Sequence, residues 1–179
     1  MLTIVVPERE YFDDNKNEFV HTKEVTLQLE HSLVSLSKWE AKWNKPFLST
    51  NDKTDEEILD YIRCMTVTQN VDKSVYYRLS KENIEKINNY INLPMTATTF
   101  SDKNTSRNKE TITAEIVYYW MIALNIPFEC QKWHLNRLLT LVKVCSIKNT
   151  PPKKMSRNEI FNRNRALNAS RRKALGTKG

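Results

Sequence analysis

Glycine is almost missing from this chain. The 179 residues hold two, Gly176 and Gly179, both at the C-terminal end. Phosphate-binding loops of the Walker and dinucleotide types need bare backbone at fixed positions, so the body excludes nucleotide chemistry of that kind. A large all-β fold with many tight hairpins is disfavoured on the same ground. Cysteine is scarce as well. Cys64, Cys130 and Cys145 are odd in number and far apart, with no Cys-x-x-Cys. That argues against a disulfide framework or a zinc knuckle, and for small buried hydrophobes in a reducing compartment. Long apolar runs are lacking too. The longest, Ile116 to Leu124, falls far short of the roughly 20 residues that cross a bilayer. Met1 to Pro7 has no basic start of the signal-peptide kind. A cytoplasmic setting without a membrane partner is expected.

Groups for catalysis are thin. His21, His31 and His134 show no ligand-like spacing, so neither a metal nor a cofactor is expected. Cys130 and His134 are four apart, within reach on a helix, but the cysteines sit in apolar contexts that keep thiols protonated. Asp55, Glu56 and Glu57 read as first-turn compensation of a helix dipole. Glu30 and Glu40 flank Lys38 and read as surface ion-pair partners. No catalytic constellation emerges, and the chain is expected not to be an enzyme.

Charge is present and unevenly distributed. From Lys148 to Gly179 there are ten basic residues and one acid, Glu159, whereas residues 1–147 hold eighteen basic and twenty acidic side chains. The body is therefore close to neutral and the tail is strongly cationic. Asn149-Thr150-Pro151-Pro152-Lys153-Lys154 separates them as a stiff, helix-breaking linker. The division is a compact body, 1–148, and a linker with basic tail, 149–179.

Patterning gives the fold class: mainly α with a small N-terminal β-hairpin (α+β), and a basic C-terminal helix or tail. Leu2, Ile4 and Val6, then Val25, Leu27 and Leu29, alternate with period two and predict a hairpin over 1–30. Asp13-Asp14-Asn15 is its turn, and Tyr11, Phe12, Phe19 and Val20 extend its arms. Helices fill 32–148. Ser32 caps one with Leu33, Leu36, Trp39 and Trp43 as its stripe. Thr54 to Glu57 is a capping box opening a second. Ser80 opens a third, which ends before Pro94. Met95 to Lys109 reads as a loop. Ile112 to Leu124, the most apolar segment, is expected to be the central core helix. Another helix is expected from about Glu129 to Ile147. Ser156 to Glu159 is a second capping box, and its helix ends at Gly176.

Two features suggest a binding surface. Lys38, Trp39, Lys42 and Trp43 combine aromatic area with lysines, which suits a partly exposed protein-binding anchor. The tail offers Lys153, Lys154, Arg157, Arg163, Arg165, Arg171, Arg172 and Lys173. It suits a segment that folds on a partner, or phosphate-backbone contact.

Five blocks carry a resemblance. They are Leu2-Thr3-Ile4; Leu29-Glu30-His31-Ser32-Leu33 through Trp39-Glu40; Thr113-Ala114-Glu115-Ile116-Val117 through Met121; Asn125-Ile126-Pro127-Phe128-Glu129-Cys130 with Trp133 through Leu138; and Leu167-Asn168-Ala169-Ser170-Arg171-Arg172 through Gly179. Together they resemble small proteins of tailed bacteriophages, encoded in the virion-assembly part of siphophage genomes and regarded as tail assembly chaperones. The resemblance implies a partner, the long helical tape measure protein, with the tail tube protein as a further one. It implies action in the host cell cytoplasm during tail assembly, and leaves self-association open. The alternative is a head–tail junction or nucleic-acid-associated structural protein using its basic tail.

Overall fold

The computed structural model describes residues 1–13, 17–50, 52–100, 111–151 and 156–177. The fold is mainly helical with a small N-terminal antiparallel sheet, an α+β arrangement. In order the elements are β1 (Leu2–Val6), β2 (Arg9–Asp13), β3 (Glu18–Thr22), β4 (Val25–Leu29), α1 (Leu33–Trp43), α2 (Asp55–Met65), a 3-10 helix (Lys73–Arg78), α3 (Lys81–Asn92), α4 (Ala114–Ala123), a second 3-10 helix (Phe128–Lys132), α5 (Leu135–Asn149) and α6 (Arg157–Leu175). Contacts divide the chain into Met1–Ser146 and Ile147–Gly179, a border inside the last turn of α5.

The hairpin is interrupted. β1 pairs with β4, and β2 pairs with β3, as two separate two-stranded ladders. Ile4 faces Leu27 and Val6 faces Val25 in the first; Tyr11 faces Val20 and Phe12 faces Phe19 in the second. Period two puts Ile4, Val6, Leu27 and Leu29 on one buried side. Asp14 and Asn15, expected at the turn, lie outside the described residues.

Two apolar clusters fill Met1–Ser146. One gathers the β1–β4 side chains with Trp39, Tyr61, Ile62, Met65, Val75, Tyr76, Ile87 and Tyr90. The other joins Leu33 and Leu36 to Ala114, Val117, Met121, Leu135, Leu138 and Val142. Helix α1 is the wall between them, giving Trp39 to one and Leu33 and Leu36 to the other. Phe47 touches both, stacking on Tyr61 with ring centres 3.8 Å apart.

Helix ends follow local chemistry. Ser32, Thr54 and Ser80 each accept a hydrogen bond from the backbone three residues on, and Glu57 completes the box at Thr54. With glycine missing, asparagine takes four of the five left-handed positions held by other residues: Asn17, Asn44, Asn70 and Asn125 have positive φ, and Met95 is the fifth among the described residues. Asn125 closes α4 in a Schellman turn, with its N–H donating to Ile122 and that of Ile126 to Met121. The carbonyls ending α3 are capped from α5, where the Asn136 amide donates to Ile91 and Leu93, 2.9 Å each.

Three expectations are corrected. The helix expected from about Glu129 is split, because His31–Ser32 pairs with the intervening chain. Ser32 bridges His134, and the Leu135 N–H donates to the His31 carbonyl at 2.7 Å. Cys130 and His134 therefore do not share a helix. Second, Ile112–Leu124 is not a central core helix: α4 buries only Ala114, Val117 and Met121. Third, Lys73–Arg78 forms an unforeseen 3-10 helix, capped by the Asp72 side chain. Among the described residues no helix is long and apolar enough to cross a membrane.

Candidate protein-binding surface

Lys38, Trp39, Lys42 and Trp43 lie close together near the end of α1 but in four different environments. Trp39 is 0% exposed, its indole N–H donating to the Glu57 carbonyl at 2.8 Å. The expectation of a partly exposed Trp39 anchor is corrected: period 3.6 turns it into the first core, between Phe47 and Trp43. Trp43 is half-buried and donates to Asp60 Oδ2 at 2.9 Å. Lys42 donates to Asp60 Oδ1 at 2.6 Å and lies 5.2 Å from the Trp43 ring centre. Lys38 is exposed. The lysines therefore stay outside while the rings turn inward.

The acids nearby are structural. Asp60 also takes Arg63 at 3.0 Å. Burial pushes its carboxyl up, and the hydrogen bonds from Lys42 and Trp43 with the Arg63 charge outweigh that and hold it below the usual range. Glu57 is held low by the Lys45 ammonium and the Thr54 amide. Glu40, expected at the surface beside Lys38, is 8% exposed. Its two oxygens accept from the Phe47 N–H at 2.8 Å and the Ala114 N–H at 2.7 Å. Thr113 gives α4 no side-chain cap, so Glu40 of α1 performs that task. The signal was in the sequence: Glu40 falls between Leu33 and Leu36 on the helical wheel.

Two of the three histidines meet. His31 and His134 rings lie 5.1 Å apart, with the Tyr61 hydroxyl 2.6 Å from His31 Nδ1. His134 Nε2 donates to the Tyr90 carbonyl at 3.0 Å. Burial, then His134, lowers the His31 pKa to about 3, so the pair is neutral and holds elements of both cores together. Among the described residues no three His, Cys, Asp or Glu side chains converge as metal ligands. Burial pushes the Cys64 thiol up, which keeps it protonated.

The surface that sequence reasoning missed is on α4. Tyr119 is 65% exposed, Ile122 61% and Phe128, just beyond the helix, 51%. Ile122 is four residues from Tyr118 and three from Tyr119, so the three ride on one side of the helix. The Tyr118 ring lies 6.4 Å from that of Phe128, and its hydroxyl donates to Gln131 Oε1 at 2.9 Å. Ala123 is exposed and Ile116 and Trp120 are half-buried. Glu115 is the only charged residue of α4. A helix apolar on every side is normally covered on every side, and this one is not.

In the second unit, α6 carries Arg157, Arg163, Arg165, Arg171, Arg172 and Lys173, and none of its residues is buried. Its Ser156–Glu159 capping box is formed and Gly176 ends it at φ 64°. Lys153 and Lys154 lie outside the described residues. Comparison with models of protein families, with curated proteins and with solved structures gives no match.

Proposed function

We propose that this chain is a tail-assembly-chaperone-like protein that binds a long, helical tape measure protein in the host cytoplasm and keeps its apolar stripes apart until the tail tube forms. The uncovered face of α4 carries this reading. Tyr119, Ile122 and Phe128 offer apolar and aromatic area beside Glu115, the combination that receives an amphipathic helix in helix-against-groove recognition. The resemblance of the five sequence blocks supplies the identity of the client. The chain acts by binding, with no catalytic step.

The test is co-expression with the adjacent tape measure protein. Soluble client is expected with the native chain, and aggregated client with a Tyr119→Ser/Ile122→Ser variant. Client solubility that is the same with and without the chain contradicts the proposal.

One observation favours a second reading. Beyond Glu159, α6 has no acid, and it is exposed throughout, which suits phosphate contact by a head–tail junction or nucleic-acid-associated protein. Under that reading a gel shift finds DNA binding whose affinity falls with salt, at a slope near −0.9 per contacted phosphate. Changing Arg163, Arg165, Arg171 and Arg172 to Gln would abolish it.

A further inference from the structure

The near-neutral body is not neutral everywhere. Lys38 and Lys42 from α1, Arg63 from α2 and Lys73 from the first 3-10 helix line one open cleft of about 620 Å³, and Asp60 is its only acid. Asp60 offsets one of these four charges and leaves the other three in excess. It is 6% exposed and already accepts from Lys42, Arg63 and Trp43. Neither Lys38 nor Lys73 is drawn into a hydrogen bond or ion pair among the described residues. The cleft therefore carries an excess of positive charge that the sequence disperses over some 35 positions, which is why charge counting does not find it.

The cleft also continues. A neighbouring one of about 430 Å³ shares Lys38, Cys64 and Thr66 with it and extends to Met1, Glu30, Val67 and Lys132; Glu30 is its acid, paired with the Met1 ammonium at 3.0 Å and accepting from the Tyr90 hydroxyl at 2.6 Å. Together they form a trough with lysines along it and apolar atoms of Cys64, Val71 and Val67 between them. We propose that this trough docks a segment of a protein partner that is rich in carboxylates and punctuated by apolar side chains.

Three features select that occupant over a phosphate polymer. The lining is as much apolar as charged, whereas a nucleic-acid backbone is polar on its outer side. Tyr76, the one aromatic ring in the lining, is buried, so no platform exists for stacking a base. Three of the four cations in the larger cleft are lysines, and the lone guanidinium is tied to Asp60, so no free fork is available for bidentate phosphate contact. Lysine point charges spaced along a trough suit carboxylates spaced along a polypeptide. The inference rests on the reading of this chain as a protein-binding factor and adds the chemistry of the partner segment, at a place distinct from the α4 face.

The experiment uses the full chain and fluorescence anisotropy. The probes are a labelled Glu/Leu peptide of roughly 20 residues, the same peptide with every Glu replaced by Gln, and a single-stranded DNA of about the same length. Because α6 also attracts anions, two charge reversals are compared. Lys38→Glu/Lys73→Glu is expected to weaken Glu/Leu binding by about tenfold or more, and Arg163→Glu/Arg171→Glu to change it by less than about twofold. Circular dichroism checks that each variant is folded, and Lys38→Ala/Lys73→Ala gives a milder second measure. Tight binding of the Gln peptide overturns the proposal, as does Glu/Leu binding that survives reversal at 38 and 73. DNA binding lost on that same reversal also overturns it and gives the trough to phosphates. Failure here leaves tape measure solubility through Tyr119 and Ile122 standing, and loss of that solubility leaves the anisotropy result standing.

Discussion

Helices α2 and α4 are nearly the same length, 11 and 10 residues, and belong to the same unit, yet they solve opposite problems. Helix α2 opens with its own capping box, sorts its residues into faces, and buries two acids, Glu57 and Asp60, with local donors from Thr54 and Arg63 as well as Lys42, Trp43 and Lys45 from α1 and its end. Helix α4 has no side-chain cap from its own N-cap residue, depends on Glu40 of α1, and leaves Tyr119 and Ile122 in solvent. The lesson is that self-sufficiency in a helix is a local property, written in its own residues. A helix whose end is capped from elsewhere and whose outer face is apolar is incomplete in two ways. One is met within the fold, by Glu40; the other, on this account, is met by a client.

That contrast can be broken experimentally, beginning where the effects are greatest. Trp39→Ala removes a fully buried ring from the first core and its indole hydrogen bond, and should cost about 3–5 kcal/mol in urea unfolding. A cost near zero would mean that α1 is not the wall between the cores. Glu40→Ala strands two amide groups, at Phe47 and Ala114, and should cost about 2–4 kcal/mol. Glu40→Gln keeps one accepting oxygen and should cost clearly less. If both variants unfold alike at the native midpoint, α4 is not capped from α1.

Acid should act through the histidines next. His31 is lowered from 6.5 to about 3, so the unfolded chain binds its proton first. Its contribution is complete above about pH 6.5 and falls as pH drops toward 3, by about 1.4 kcal/mol per unit. About 2 kcal/mol should be gone by pH 5, read as a lower urea midpoint. Glu57 and Asp60, held low by their donors, lose their contributions only below the usual carboxylate range, so they are silent between pH 7 and 5. His31→Gln should be less stable at pH 7 but flatter across this window; an unchanged slope would clear His31 of the effect.

The smallest expected change is the most informative. Tyr119→Ser/Ile122→Ser should shift unfolding by only about 0.5 kcal/mol, because both side chains already face water. A loss of several kcal/mol would show that α4 is covered in solution and would remove the reason for assigning it a client.

Much of the fold was legible because its signals are local. Ser32, Thr54, Ser80 and Ser156 mark helix starts within one turn, and alternation in Leu2–Val6 and Val25–Leu29 marks a buried strand face. What the sequence did not disclose depends on distant partners. The break before Leu135 arises from pairing with His31–Ser32, about a hundred residues earlier. Trp39 and Trp43, four apart, share one stripe in the sequence, yet the helical turn gives one to the core and the other to its edge. In α4 apolar side chains surround the axis, so periodicity could not say which side faces water. The lysine trough was hidden because α1, α2 and the first 3-10 helix converge only in the folded state.

The most direct test places a photocrosslinking residue at position 122 of the full chain and irradiates it with the tape measure protein present. The account predicts a specific adduct, suppressed when Tyr119 is replaced by Asp, and no comparable adduct from a probe at the exposed position 137 on α5. Equal crosslinking from both positions, or none from 122 while the client stays soluble, would contradict it.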